Sequence, residues 1–285
     1  HPAAPGSHDI VRKLRDRQIT SFTMDGIPRI SRAQRMDALT SMSTVTGYRA
    51  VLDAAERLPR FLPMISTAIG NIKPANVLVV GTGVVGLQAV ATAKRLGAVV
   101  KAWDIREAAR TEAGSLGAKI AGFEVPKELA IAEGGYAKLL PEDWVKKEQA
   151  AIQEVVAESD IVVLSALVPG SLAPVIVTKE AVARMKPGSV IVDVSIDQGG
   201  NCALTKAGEE VIENNVKICG LQNIPGHMAM PATWLYANNM FHYIDNLFKK
   251  VPGSADLEDE IPRASLVTMQ GKIHFKPALD AMGGR

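Results

Sequence analysis

Residues 81–86 read Gly-Thr-Gly-Val-Val-Gly, and Asp104 follows 18 residues after Gly86. These are the residues whose types and spacing carry the plainest chemistry. Gly81 lets the chain turn sharply, Gly83 keeps side-chain atoms away from a pyrophosphate, and Gly86 lets a helix pack closely on the preceding strand. The start of such a helix offers free N–H groups and a partial positive charge to phosphate. An acid at the position of Asp104 accepts hydrogen bonds from a ribose diol and repels a 2′-phosphate. The pattern points to a dinucleotide, and to NAD(H) over NADP(H). Arg106 argues the other way, because an arginine near the acid accommodates a phosphate. A tight turn without a ligand is the alternative reading of the glycines.

Four further stretches hold residues fit for chemistry. Pro28–Asp37, PRISRAQRMD, crowds three arginines, a glutamine and an aspartate together. On composition alone it reads as a basic solvated loop with Asp37 as a helix cap. GGYAK, 134–138, sets two glycines before a tyrosine, which suits either a loop closing an aromatic ring over a ligand or an ordinary surface loop. SIDQGGN, 195–201, lies just past an expected strand end, where ligands of doubly wound sheets bind. Asp197 there faces a cofactor or substrate, or simply caps a turn. NIPGHMAMP, 223–231, brings His227 near the last strand, as an acid–base candidate or a structural residue; His242 lies within a helix and reads as packing.

The elements that position these residues alternate. VLVV (77–80), AVVKAW (98–103), a weak AKIAG (118–122), DIVVLSA (160–166), SVIVDV (189–194) and VIENNVKICG (211–220) read as six strands. Helical stretches at 84–97, 106–117, 143–159 and 178–188 separate them. Strands alternating with helices predict an α/β fold with a doubly wound parallel sheet, a Rossmann dinucleotide-binding domain. Residues 8–60 read as mostly helical, with a short strand at 18–24 and a connecting helix over 43–58. A helix is expected from Pro231 to Lys250, then a strand pair ending near 275. The division that follows is 1–60, the opening portion of a first domain plus the connecting helix; 61–226, the Rossmann domain; and 227–285, a C-terminal segment packing back on an incomplete first α/β domain.

The bulk numbers exclude several classes. A net charge of +2 over 285 residues argues against nucleic acid as a partner. Cys202 and Cys219 are the two cysteines and have no CxxC spacing, which excludes a disulfide scaffold and a structural zinc site and suits a reducing compartment. No metal site is expected. The apolar run 77–93 carries three glycines and reads as strand plus helix, so no membrane insertion is expected. The first residue is His1, and the true N-terminus is expected to be missing or processed.

PRISRAQRMD, SMSTVTGYRAVLDAA, the glycine motif with its helix, GGYAK, ALVPG (166–170), MKPGSVIVDV and GGNC (199–202) together resemble the NAD(H)-binding component of proton-translocating NAD(P) transhydrogenase, in the alanine dehydrogenase/transhydrogenase family. The resemblance runs from about residue 15 to residue 275. PRISRAQ and GGYAK are its specific parts. It implies that an arginine, a glutamine and an aspartate of the polar cluster hold the nicotinamide and its ribose at a cleft between two domains. Those positions are Arg29, Gln34 and Asp37, with Thr40 where the family has a serine. It further implies nucleotide contacts from Gly81, Gly83, Val84, Gly86, Asp104, Ile105, Arg106, Gly135, the loop tyrosine Tyr136, Ser165, Leu167 and Asp197. The cofactor implied is NAD(H), with NADP(H) on a partner subunit and a membrane proton-channel subunit beyond it. The family also implies a homodimer and a cytoplasmic location, peripheral to the membrane through partners.

Two departures matter. SIDQGG matches alanine dehydrogenase, in which the aspartate is catalytic, so Asp197 pulls toward an NAD-dependent amino-acid dehydrogenase. Both families also carry a block of about one hundred residues, typical of a domain, before the point matched by the start of this chain. The expected chain is therefore a fragment, or that block is a separate polypeptide. A non-catalytic NAD-binding module is the remaining alternative.

Overall fold

Asn76–Val80 (β4), Ile161–Leu164 (β7) and Val190–Asp193 (β8) are dominated by valine, isoleucine and leucine and are buried along almost their whole length. Runs that cannot face water on either side become inner strands of a parallel sheet covered by helices. The computed structural model describes residues 1–122, 124–132, 137–168 and 171–283. Contacts divide the chain into one continuous unit, Ser43–Ala229, and one built from His1–Met42 and Met230–Arg285.

The continuous unit adds the strands Val99–Trp103 (β5), Lys119–Ala121 (β6), Glu210–Glu213 (β9) and Val216–Cys219 (β10) to those three. Together they form a seven-stranded sheet in the order β6-β5-β4-β7-β8-β10-β9. β4 pairs in parallel with both β5 and β7. The chain therefore runs outward in one direction from β4 and returns to continue in the other, so the strand order reverses between β4 and β7. Val84–Arg95 (α3), Glu107–Ser115 (α4) and the long helix Ala38–Arg57 (α2) supply apolar residues to one face, where Ala50, Val51, Ala89, Val90 and Ala113 meet Val77, Val79 and Val163. Glu142–Glu158 (α6) and Lys179–Ala183 (α7) cover the other, where Ile152, Val156 and Val182 meet Leu78, Val80 and Leu164. Alternate strand residues go to opposite faces, as the two-residue period demands. Ile65–Thr67 (β2) and Gly70–Ile72 (β3) form a small exposed hairpin, and Lys127–Ala130 (α5) is one turn.

The second unit is also α/β. Ser21–Phe22 (β1), Leu266–Met269 (β11) and Lys272–Ile273 (β12) make a three-stranded antiparallel sheet in the order β1-β11-β12. His8–Asp16 (α1), Ala229–Leu247 (α8), Glu260–Ser265 (α9) and Lys276–Ala281 (α10) are its helices. Tyr243 and Leu247 of α8 pack on Ile261, Ala33 and Met36.

Three expectations change. The sheet has a seventh strand, because the run expected as one strand at 211–220 is a hairpin. Asn214 and Asn215 take φ values of 51° and 60°, the paired left-handed conformation of a two-residue hairpin turn. The connecting helix starts at Ala38 rather than 43, since Asp37 caps it there. The helix expected from Pro231 starts at Ala229, which leaves the proline in the first turn, where no N–H is needed.

Candidate functional site

The glycine loop closes the C-terminal end of β4 at the point where the strand order reverses. Gly81 has φ 82°, and a Cβ there would lie 2.6 Å from the Ala166 backbone nitrogen. A Cβ on Gly86 would lie 2.0 Å from the Gly81 carbonyl oxygen. Both positions are closed to any side chain. Gly83 differs: a Cβ there meets nothing within 4 Å. Two glycines are thus spent on the turn and on helix packing, and the third borders open space at the start of α3. That helix has 12 residues, and its first N–H groups have no intrahelical acceptor. The cradle fits a pyrophosphate.

Ser165 locks the loop from the neighbouring strand. Its hydroxyl donates to the carbonyls of Gly81 at 2.7 Å and Val80 at 3.2 Å. Val84, Ile105, Arg106 and Leu167 are half-buried around the same strand ends.

Asp104 follows β5 and is 7% exposed. Its Oδ2 accepts from the Thr82 backbone N–H at 2.7 Å and from the Arg106 Nη2 at 2.9 Å. Its Oδ1 accepts from the Arg106 backbone N–H at 2.8 Å and Nε at 3.0 Å. Arg106 is therefore the counter-ion of Asp104. Burial works against the guanidinium charge, but the carboxylate outweighs it and the pKa of Arg106 is raised. From spacing, Arg106 argues for phosphate; the structure shows it neutralising the residue that argues for NAD(H).

Glu148 of α6 lies behind this group and is 3% exposed. It accepts a hydrogen bond from Trp103 Nε1 at 3.0 Å. Burial pushes its carboxyl up to about 7, against the Trp103 bond and with the help of the nearby Asp104 charge.

Past β8, Ile196–Gln198 forms a short turn in which Asp197 is exposed and accepts from Gln222 Nε2 at 2.9 Å. His227 is exposed in the short helical turn Ile224–Met228. Cys202 and Cys219 are free and buried. Burial raises both thiols, that of Cys219 to about 12, which disfavours the thiolate form.

In the other unit, the polar cluster forms a short helical turn, Ser31–Met36, anchored by buried Ala33 and Met36. Its arginines divide. Arg32 pairs with Asp259 at 2.5 Å and Glu260 at 3.1 Å, which holds Asp259 well below the usual carboxylate range. The carbonyl of Arg35 accepts from Asn239 Nδ2 at 2.8 Å. Arg29 and Gln34 are exposed. Asp37 caps α2, accepting the Thr40 backbone N–H at 2.9 Å and its hydroxyl at 2.6 Å. The capping role read from composition is therefore present, and the hydroxyl that Thr40 brings is what Asp37 binds. His242 is half-buried in α8, its ring 5.4 Å from that of Phe241. Gly135 and Tyr136 lie outside the described residues. None of the described helices is long and apolar enough to cross a membrane.

The features that sequence reasoning missed are Glu148 and Asn201. Glu148 is an acid in the middle of an amphipathic helix, and the signal for its burial was the apolar residues three and four positions away. Asn201 belongs to the GGNC motif, but its contacts come from residues far off in the chain.

Comparison with known proteins agrees with this geometry. Residues 50–276 match the family described as alanine dehydrogenase/PNT, C-terminal domain. The chain is 44% identical over 99% of its length to an NAD(P) transhydrogenase subunit alpha protein of Rhodospirillum rubrum, covering 74% of that protein. It is 31% identical over 86% of its length to alanine dehydrogenase of Halomonas elongata, covering 62% of that protein. The crystal structure of transhydrogenase from Sinorhizobium meliloti superposes with a TM-score of 0.81 at 39% identity, covering 94% of this chain and 72% of that one. With the dinucleotide cradle at the sheet's reversal point and matches of this extent, the chain belongs to the alanine dehydrogenase/transhydrogenase family.

Proposed function

We propose that this chain is the NAD(H)-binding component of an NAD(P) transhydrogenase, passing hydride between NADH and NADP⁺ held by a partner subunit. The observation that carries the reading is the cradle at residues 81–86, closed at Gly81 and Gly86 and open at Gly83, in a chain closer to a transhydrogenase alpha subunit than to alanine dehydrogenase, at 44% against 31% identity.

NADH supplies the hydride. The chain's own work is binding and orientation. Gly83 and the start of α3 admit the pyrophosphate, and Asp104 accepts the adenosine ribose diol. The diol competes there with the guanidinium of Arg106, which sits on a long flexible side chain. Arg29, Gln34 and Asp37 hold the dihydronicotinamide, with Thr40 supporting Asp37. Ser165, Leu167, Gly135, Tyr136 and Asp197 complete the nucleotide contacts. Transfer between two nicotinamides needs no general acid or base; it needs two rings held close, aligned and dry. The partners in this reading are an NADP-binding subunit and a membrane proton-channel subunit, with the chain itself a homodimer, cytoplasmic and peripheral to the membrane through those partners.

Asp197 favours a second reading, reductive amination of a 2-oxo acid, because it stands at the exposed turn past β8 where a substrate-side acid belongs. The test is NADH oxidation at fixed pH by the full-length protein in two mixtures. One holds an NADP⁺-loaded transhydrogenase partner domain; the other holds pyruvate and ammonium. The proposal expects oxidation in the first only. Oxidation in the second only would overturn it and make Asp197 the residue to mutate.

A further inference from the structure

Asn201 has no exposed surface. Its Oδ1 accepts the Ala166 backbone N–H at 2.9 Å, and its Nδ2 donates to the carbonyls of Ala166 at 2.9 Å and Pro174 at 2.8 Å. Its own carbonyl accepts from the backbone nitrogens of Ile176 at 2.8 Å and Val177 at 2.9 Å. One residue thus ties both the start of the loop after β7 and the chain's return from it.

Asp193, at the end of β8, holds Asn201 in turn. Its Oδ2 accepts from the backbone nitrogens of Asn201 at 2.8 Å and Cys202 at 3.0 Å, and from the Thr205 hydroxyl at 3.0 Å. Its Oδ1 accepts from the backbone N–H and hydroxyl of Ser195. The result is a buried clamp across the C-terminal ends of β7 and β8.

What the clamp holds is a wall of the dinucleotide crevice. Ala166 is the residue that Gly81 approaches so closely that no side chain fits between them, and Leu167 follows it. A dinucleotide lying across a doubly wound sheet puts one nucleoside over each side of the reversal point. Asp104, after β5, serves the adenosine side; Ala166 and Asn201 belong to the other side.

We propose that Asn201 is a positioning residue for the nicotinamide half of the cofactor, acting through Ala166 and Leu167 and touching no cofactor atom itself. The inference rests on the nucleotide reading above. The amide is the group this needs: it offers one acceptor to an N–H and two donors to two carbonyls. Alanine leaves three part-buried backbone groups without these partners.

The test compares NADH with AMP, which carries only the adenosine half, by titration calorimetry on the whole chain. Asn201→Ala is expected to weaken NADH about tenfold, on the scale of one buried hydrogen-bond partner lost. AMP binding stays within about twofold. Val163→Ala, in the buried core of β7, is the control for general destabilisation and leaves the NADH-to-AMP ratio unchanged. Thr205→Val removes one hydroxyl from Asp193 at constant volume; it keeps the test available should Asn201→Ala not fold, with an expected loss of about threefold for NADH alone. Equal losses for both ligands, or no loss for either, overturn the proposal. A wild-type chain that binds AMP but not NADH also overturns it, and one that binds neither sinks the nucleotide reading first.

Discussion

Asp104 follows β5 in one half of the large sheet and Asp193 ends β8 in the other, and both are buried, at 7% and 0% exposure. Each carboxylate has both oxygens satisfied, but by different kinds of donor. Asp193 is held by backbone N–H groups and hydroxyls of its own loop, residues 195–205. Asp104 shares itself between backbone N–H groups, the Thr82 hydroxyl and the guanidinium of Arg106, a side chain 20% exposed. A donor on fixed backbone cannot leave, whereas a long side chain can be displaced by a ligand hydroxyl. Residues of one type at equivalent strand ends therefore differ: Asp193 fastens the loop after β8, and Asp104 has a partner on a long side chain that can move.

The largest expected effect tests the structural side. Asp193→Asn puts an NH₂ group among N–H and O–H donors in a site with no exposed surface, and the cost in stability is roughly 4 kcal/mol. Urea unfolding of the variant reads it. A loss below about 1 kcal/mol, or a loss of NADH binding with stability intact, would break the comparison.

Glu148 sharpens it next, as the titrating group on the Asp104 side. Its carboxyl is raised from 4.5 to about 7 in the folded protein, first by burial. Between those values the folded chain binds this proton more tightly than the unfolded one. The group's contribution is therefore full below the unfolded value and is lost as pH rises through the window, by about 3 kcal/mol in all. Thermal melts from pH 4 to pH 8 should show this fall in the wild type and its absence in Glu148→Gln. Parallel curves for the two proteins would refute the assignment.

The smallest effect concerns Arg106. Arg106→Ala leaves the Asp104 charge without its counter-ion, and repulsion of a 2′-phosphate grows. The ratio of NADH to NADPH affinity should rise about threefold. A ratio that falls would mean that Arg106, and not Asp104, sets the choice of nucleotide.

Much of this architecture was readable in order along the chain. The apolar strands and the glycine loop depend on neighbours within a few residues, and their positions follow from local pattern. The β9–β10 hairpin was hidden because its strands are only four residues each and mix polar with apolar residues, although its Asn-Asn pair carried the turn signal. The β2–β3 hairpin is short and exposed, with no hydrophobic period to reveal it. At the site, the turn at Gly81 and the close packing at Gly86 were legible because spacing sets both. Asn201 was not, since its partners Ala166 and Pro174 stand 35 and 27 positions away. Arg32 looked interchangeable with Arg29 and Arg35 until its partner, 227 residues distant, was in view.

The pairing of β1 with β11 sets an order on how the molecule is made. Ser21 faces Thr268 across that sheet, 247 residues later. During synthesis the continuous unit has all its strands once residue 229 has emerged. β11, the strand that pairs with β1, is made only after the whole intervening unit. Contacts at such separation carry the largest loop-closure cost when the chain between them is unfolded. The β1–β11 pair therefore closes only after the intervening unit has been made, and a folded intervening unit shortens the loop that this pairing must close.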